Sequence, residues 1–550
     1  MSASCASLPP AAGGSTHGAA LPTMGARTEN IVITSYLDVN ALAASERLLF
    51  VAARDGIAVY DRQMREWLPP LTASSGYPGG DVTVMAADPV EDAVWIALRG
   101  TLVYYRPATD MLTSMVLPGG ADAIVFDRRA PSRGALVHGA GGWMVASRSG
   151  FLTPAMSSDL PPPGSRIVPP ELAEVVQRYP SIRSFAALLT RDASMRSWPI
   201  TAGTMAPEGS DVWLGTAGGG VFEVDPTFNR SSELPFGLLG PRAAALDSGA
   251  GGVWVAGGWT STSLAPRGGA RAGLTVVSPD LQRWTWLEAS PAYASLLDGA
   301  TDLDVDGNTV WVATRGGLLV LDATHPTAIQ LLRAGSGLPT DRVTSVRAVP
   351  GGAWVATADG VALVQSPQDS ARAHAGAQRM LEVTGIVARS LGTNDMTIAG
   401  DSLWLAADQG LFVLSPLSVD ATPRRLSSDP RLAHAMRALA RADSIVVAAA
   451  EEELIALDAR TLARIAPLDG VSLVAVRGAR AMAADDRTVW VAGPGGVAVV
   501  QRSTGAVRFL TADRDIPADP ADVLLEHDVA WIATRDGLVR LERLPDGGVR

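Results

Sequence analysis

Short apolar runs alternate with Gly, Pro, Asp and Asn turns along almost the whole chain, and one phrase keeps returning. It is an aromatic inside an apolar run, a Gly turn, then a second apolar run. Near the start it reads Leu49-Phe50-Val51-Ala52-Ala53-Arg54-Asp55-Gly56-Ile57. In the middle it reads Val310-Trp311-Val312-Ala313-Thr314-Arg315-Gly316-Gly317-Leu318, and at the end Ala530-Trp531-Ile532-Ala533-Thr534-Arg535-Asp536-Gly537-Leu538. The anchors are Phe50, Trp95, Trp143, Trp213, Trp254, Trp311, Trp354, Trp404, Val446, Trp490 and Trp531. Nine of the 14 tryptophans therefore share one register position, which marks a structural repeat. Glycine follows six residues after the anchor at Gly56, Gly219, Gly317, Gly360, Gly410, Gly496 and Gly537, as a turn needing positive φ requires.

An apolar run precedes each anchor, such as Val343 to Val349. A third follows the Gly turn, such as Gly317 to Asp322, and then a weaker edge run. Four short strands in about 40–45 residues make one propeller blade. The chain is thus expected to be all-β, a β-propeller of about eleven four-stranded blades. Eleven exceed the usual ring of about four to eight, so two rings of about five plus six are preferred to one large ring, with a candidate split near 290–300. The last blade lacks a fourth strand, and Asn30 to Leu37 is predicted to supply it and close the ring, which removes an exposed edge. The stretch 168–191 breaks the pattern. Leu172, Val175, Val176 and Tyr179, then Ile182, Phe185, Leu188 and Leu189, form two helical stripes, read as an inserted hairpin that either lids the propeller or docks a partner. Residues 259–272 read as a surface loop within blade 5.

The repeat resembles the two-component regulator propeller family. The segment Gly337-Leu338-Pro339-Thr340-Asp341-Arg342-Val343, followed by Gly352-Ala353-Trp354-Val355-Ala356-Thr357 and Gly360-Val361, matches it well, as does Asp211-Val212-Trp213-Leu214-Gly215-Thr216. The resemblance covers roughly residues 39–550, and the copy around Val446 and Glu451-Glu452-Glu453 is the poorest. It implies a propeller of extracytoplasmic, sensor-like, ligand-binding type from a bacterium, in the periplasm or at the cell surface. It says little about chemistry, because function resides in sites rather than folds.

Composition narrows the choice. Net charge is −11, without the basic field that nucleic acid needs. The 45 basic residues are all arginine, which removes lysine Schiff-base chemistry and the phosphate-loop lysine. The single cysteine, Cys5, rules out an internal disulfide and a cysteine zinc site. It lies in an Ala/Gly/Ser/Pro-rich stretch, residues 1–28, that reads as a flexible tether. Ser2-Ala3-Ser4-Cys5 resembles a lipidation site without its hydrophobic stretch, so a lipid anchor at Cys5 competes with a plain tail. No apolar run is long enough for a membrane span.

Candidate chemistry is sparse. Arg54, Arg99, Arg148 and Arg535 occupy the turn after the anchor, as does Arg315. If blade 11 closes onto blade 1, the first four make an electropositive rim suited to an acidic small molecule, glycan or protein partner. Asp302, Asp304 and Asp306, with Gly307, resemble half of a calcium loop, although a structural turn accounts for Asp304 and Gly307 equally. The related streptogramin-lyase type of propeller uses histidine and magnesium, and His434 or His527 could serve in it. No cofactor motif appears. The preferred reading is a ligand- or protein-binding module without catalytic or kinase domain. A scaffold subunit of an envelope assembly and a propeller lyase or glycan-acting hydrolase are the alternatives.

Overall fold

A computed structural model describes residues 30–209, 211–259, 271–366, 381–544 and 548–549. Cys5, the tether and most of the 259–272 loop lie outside the described residues. Eleven antiparallel sheets account for the strands. We number them I (41–72), II (82–117), III (121–167), IV (200–234), V (242–288), VI (300–332), VII (343–387), VIII (393–425), IX (438–458), X (481–511) and XI (522–542). Nine are four-stranded; III has five strands and IX has three. Sheet IX contains the Val446 anchor, the poorest copy in sequence.

In every sheet but III the second strand bears the anchor; in III the Trp143 strand, Gly142–Ala146, is the third, after Ala121–Asp127 and Ala135–Gly139. Between two neighbouring sheets the second strand is covered on both faces, so it is apolar at every position instead of alternating. All six residues of Gly352–Thr357 and of Thr488–Gly493 are buried. Trp95, Trp213, Trp354, Trp404, Trp490 and Trp531 are among the largest fully buried side chains. Trp143 in sheet III is the exception; it is half-exposed beside His138 and Arg166. A threonine three residues after the anchor ties the following turn: Thr314, Thr357 and Thr534 donate through their hydroxyls to the carbonyls of Gly317, Gly360 and Gly537.

The anchor-plus-six glycines divide into two kinds. Gly317, Gly360, Gly410, Gly496 and Gly537 have φ of 125° to 141°, which side chains rarely adopt. Gly56 and Gly219 are not in that region. A Cβ on Gly56 would sit 2.5 Å from the Tyr36 hydroxyl, and one on Gly219 would sit 2.5 Å from the Trp198 ring. Close approach, rather than turn conformation, selects glycine there.

Strand Ile31–Ile33 pairs with Gly537–Glu542, at Leu538, Val539 and Arg540, as the fourth strand of sheet XI. The chain then leaves for sheets I–IV, returns through V, and ends beside its own start. The first strands of V, VI, VII, VIII, IX, X and XI touch in that order, and the first strand of XI touches that of V. Those of the other four sheets touch in the order IV, I, II, III. First-strand contacts thus group the sheets as seven and four, not as the expected five and six. The sheet ahead of residue 290 belongs with those after it, because Leu246 and Val305 bond across both of its sides.

The expected helices are Leu172–Arg178 (α1) and Ser181–Leu189 (α2). Val175, Ile182 and Leu189 pack on Trp198, Met205, Val212, Leu214 and Phe222 of sheet IV, on the face that a next sheet would otherwise cover. A third helix, Pro291–Leu297 (α3), lies between sheets V and VI and was not foreseen. Sheets I, IV, V and XI share one apolar core containing Tyr36, Trp67, Phe236 and Trp284. At its edge the Arg271 side chain, 1% exposed, is bracketed by Glu233 of sheet IV and Glu288 of sheet V, and lies over the Trp286 ring.

Candidate functional site

The first strands of sheets V–XI lie side by side, and those of V, VI, VII and VIII carry a β-bulge near their starts. The register slips just before Ala245, Asp302, Ser345 and Asp395. A bulge re-aims the side chain that follows it, here Asp302 and Asp395 in sheets VI and VIII, and Asp522 of sheet XI joins them from a regular strand. Asp522 accepts from the Leu246 N–H at 2.7 Å, and Asp302 accepts from Val346 N–H at 2.9 Å. Asp395 accepts from Leu439 N–H at 2.8 Å. Two residues further along, opposite the tryptophan anchors, Asp247 accepts from Val305 N–H at 2.7 Å and Asp304 from Ala348 N–H at 3.2 Å. A first strand is an edge whose outward N–H groups need partners. Each of these aspartates supplies one to the next sheet.

Arg347 of sheet VII lies among them. It donates to Asp302 and, at 3.2 Å, to Asp395, and its side chain stays 26% exposed. Burial works against its charge, but Asp302, Asp395 and Asp304 outweigh burial and hold it firmly cationic. One guanidinium does not balance five carboxylates. Burial, with the Asp302 charge second, pushes the Asp522 carboxyl up to about 8. Burial and then Asp304 push Asp247 to about 7. Asp304 and Asp395 are pushed to about 6, again by burial first, with Arg347 pulling the other way.

The entry end of the same strands is basic. Arg242 begins the first strand of sheet V and is half-buried; its guanidinium donates to the Asp298 carbonyl at 2.9 Å. Burial and then the nearby charge of Arg315 push its pKa down, and Arg480 adds to this. Arg480 pairs with Asp519 at 2.6 Å. The Arg535 N–H donates to the carbonyl of Ala518, beside that aspartate. Arginine clusters of this kind bind carboxylate, sulfate or phosphate oxygens.

The sequence-predicted residues fall differently. Arg148 is not available to a rim: it forms a two-pronged ion pair with the buried Asp88, at 2.8 and 2.9 Å, while Asp88 also accepts from the Trp95 indole. Arg54 and Arg99 are exposed on sheets I and II, and Arg535 is exposed on XI. Burial raises the Asp55 carboxyl beside Arg54, with the Arg54 charge pulling it down and Asp536, beside Arg535, adding to the rise. Asp302 and Asp304 are the backbone partners just described, mid-strand and not in a turn, while Asp306 is exposed at the strand end. Among the described residues no group of three His, Cys, Asp or Glu is placed to hold a metal ion. His434 precedes the first strand of sheet IX and His527 follows that of XI, so they stand at opposite ends of these strands.

Arg242 and Arg480 were missed. A signal existed: arginine stands immediately before or at the start of the first strand in four of the seven sheets, as Arg242, Arg342, Arg437 and Arg480. These arginines precede their anchors by twelve, twelve, nine and ten residues, so they share a place at the strand start but not a fixed spacing from the anchor.

No protein-family model matches the chain, and no curated protein matches it. Solved structures do align along most of its length. The extracellular domain of BT4673, a hybrid two-component system protein of B. thetaiotaomicron, is 14% identical, with 92% of this chain and 70% of that one covered, at a TM-score of 0.41. PorZ, a surface component of the type-IX secretion system of Porphyromonas gingivalis, is 12% identical over 94% and 87%, at 0.48. Virginiamycin B lyase of Staphylococcus aureus is 11% identical over 55% and 96%, at 0.40. These superpositions are loose, and function has to be read from this chain's own residues. No described helix is long and apolar enough to cross a membrane.

Proposed function

We propose that this chain is an extracytoplasmic β-propeller binding module that takes an anionic ligand at its arginine mouth. In this reading sheets V–XI form a seven-bladed ring, and sheets I–IV form an incomplete second array closed at one end by the α1–α2 hairpin. The observation that carries the reading is Arg242, half-buried at the entry end of the first strands and bonded to the Asp298 carbonyl, where the charges of Arg315 and Arg480 oppose it and those of Asp519 and Asp298 only partly offset them. Like charges held together cost stability, and an incoming carboxylate or sulfate relieves that cost. The arginine rim expected from the sequence thus moves from Arg54, Arg99 and Arg148 to Arg242, Arg315 and Arg480, with Arg535 beside it. The carboxylates deeper in bar the anion from the channel and keep it at the mouth.

Titration with a sulfated oligosaccharide and with polyglutamate tests the site. Binding that weakens several-fold on raising NaCl from about 50 to 300 mM is expected, with a further loss of about ten-fold in Arg242→Ala/Arg480→Ala. Equal affinity in wild type and variant overturns it. Arg480→Ala alone, at an exposed position, controls for folding. Fractionation of the native host tests the placement: recovery with envelope or periplasmic markers is expected, and recovery with cytoplasmic markers overturns it.

A further inference from the structure

The carboxylates of the first strands stand close behind the arginine mouth. Asp519, the partner of Arg480, is three residues before Asp522 in the chain. Asp522 accepts from the N–H of Leu246, four residues along the strand that Arg242 begins, or about 13 Å at the usual rise per residue. Asp247 is the next residue on that strand and accepts from Val305 of the opposite neighbour. Both aspartates are only part-buried, so protons reach them.

Their charged surroundings are few. Facing them are Asp302 and Asp304 of sheet VI and Arg347 of VII, with Asp395 of VIII on the other prong of Arg347. The first strand of IX carries Arg441, exposed and bonded to the carbonyls of Ile398 and Asp443, and that of X carries no charge. Asp306 and Glu526 stand at the far ends of their strands. At the mouth, Asp298 and Asp519 act on Arg242, and His434 is exposed ahead of sheet IX. When all ionise, the inner strands set five carboxylates against one guanidinium. Each carboxyl that takes a proton removes a negative charge from behind the mouth. At an effective dielectric of about 20–40, one such charge some 12 Å away changes the affinity for an anionic group by about three- to ten-fold.

We propose that protons gate the arginine mouth: it holds its anion tightly while Asp522 and Asp247 are protonated and loosely once they ionise. The inference rests on the mouth proposed above and adds its regulation. Burial first, and then Asp302 and Asp304 respectively, push the two carboxyls up to about 8 and about 7, so the change falls around neutrality. By linkage, an anion that binds the protonated form better must draw protons in as it binds.

Calorimetric titration of the full chain with sucrose octasulfate, whose charge is fixed over this range, tests the gate. Affinity is expected to fall at least about ten-fold from about pH 6 to about pH 8.5. At about pH 7.5, titrations in HEPES and in Tris, which differ in heat of ionisation, should show an uptake of roughly a few tenths of a proton. Asp522→Asn keeps an acceptor for Leu246 and removes the charge. It should bind several-fold more tightly than wild type at the higher pH and take up less. His434→Gln should alter neither quantity. Equal affinity at both pH values without proton uptake overturns the gate and leaves the mouth standing. An uptake lost in His434→Gln overturns it as well, and that exposed variant decides the matter even if Asp522→Asn does not fold. No binding at the lower pH removes the mouth, and the gate with it.

Discussion

Sheets V–XI and sheets I–IV repeat the same anchor phrase, yet neighbouring sheets are tied together differently in the two regions. In V–XI the ties lie near the axis, where aspartates on one first strand accept backbone N–H groups of the next, as Asp522 does from Leu246 and Asp247 from Val305. In I–IV the side-chain ties named next involve residues just past strand ends, at Ser45, Arg62 and Asp88, and not mid-strand aspartates. Arg148 of sheet III pairs with Asp88 of II, Ser45 of I donates to Asp92 of II, and Arg62 of I pairs with Asp211 at sheet IV. First strands that meet all the way round leave their N–H groups facing a narrow shared space, and acceptors must come from within it. Four sheets meeting in a row leave an end face instead, and the α1–α2 hairpin covers that of sheet IV with apolar side chains. One repeat therefore yields two solutions, set by whether the row closes.

The strongest way to break the comparison is to uncouple the regions. Arg271→Ala removes the cation between Glu233 and Glu288 at the junction of sheets IV and V, leaving Arg196 as the partner of Glu288 and, among the described residues, none for the largely buried Glu233. A loss of about 3–5 kcal/mol is expected, read in urea titrations, with calorimetry resolving two transitions where the wild type gives one. A single unshifted transition would mean that the shared core around Phe236, and not the ion pairs, couples the regions.

Removing one axial tie should act on one region only. Asp302→Ala deprives Val346 N–H, the Ser345 hydroxyl and Arg347 of their shared acceptor. The expected cost is about 2–3 kcal/mol, seen as faster amide exchange in the first strands of sheets VI and VII while sheets I–III keep wild-type protection. Equal loosening in both regions would show that the ties are not local.

The smallest effect sharpens the contrast through pH. Asp522, Asp247, Asp304 and Asp395 have native pKa values of about 8, 7, 6 and 6, against about 3.9 in an unfolded chain. The folded state binds these protons more tightly, so their contribution to stability is complete below about pH 4 and is lost as pH rises through 6 to 8. The melting temperature should therefore fall by a few degrees from pH 5.5 to pH 8.5, and Asp522→Asn should flatten the upper part of that slope. A melting temperature that rises over this range would contradict the raised carboxyls.

Much of this was legible in the sequence. An anchor at one register position, a Gly turn and flanking apolar runs are local features, and they were enough to specify eleven sheets and the positions of most buried tryptophans. The stripes Val175/Val176 and Ile182/Leu189 likewise specified both helices. Charge was not legible to the same degree. Arg148 and Arg54 both follow an anchor in the sequence, yet Arg148 lies after the third strand of its sheet and is held by Asp88, sixty residues away, while Arg54 lies after the second and is exposed. Asp302-x-Asp304-x-Asp306 has the spacing of a cation loop, but a strand points alternate residues to one face, and that face meets the N–H groups of the next sheet.

What the sequence determined by itself is the unit: where each strand runs, which side chain fills it, and where the turns fall, because those depend on residues within about 45 of one another. Only the tertiary structure decided how many units meet in a row, which arginines crowd together at one end, and which carboxylates are shielded from water. Those depend on contacts between sheets far apart in the chain, such as Asp522 with Leu246, and no single position of the repeat records them.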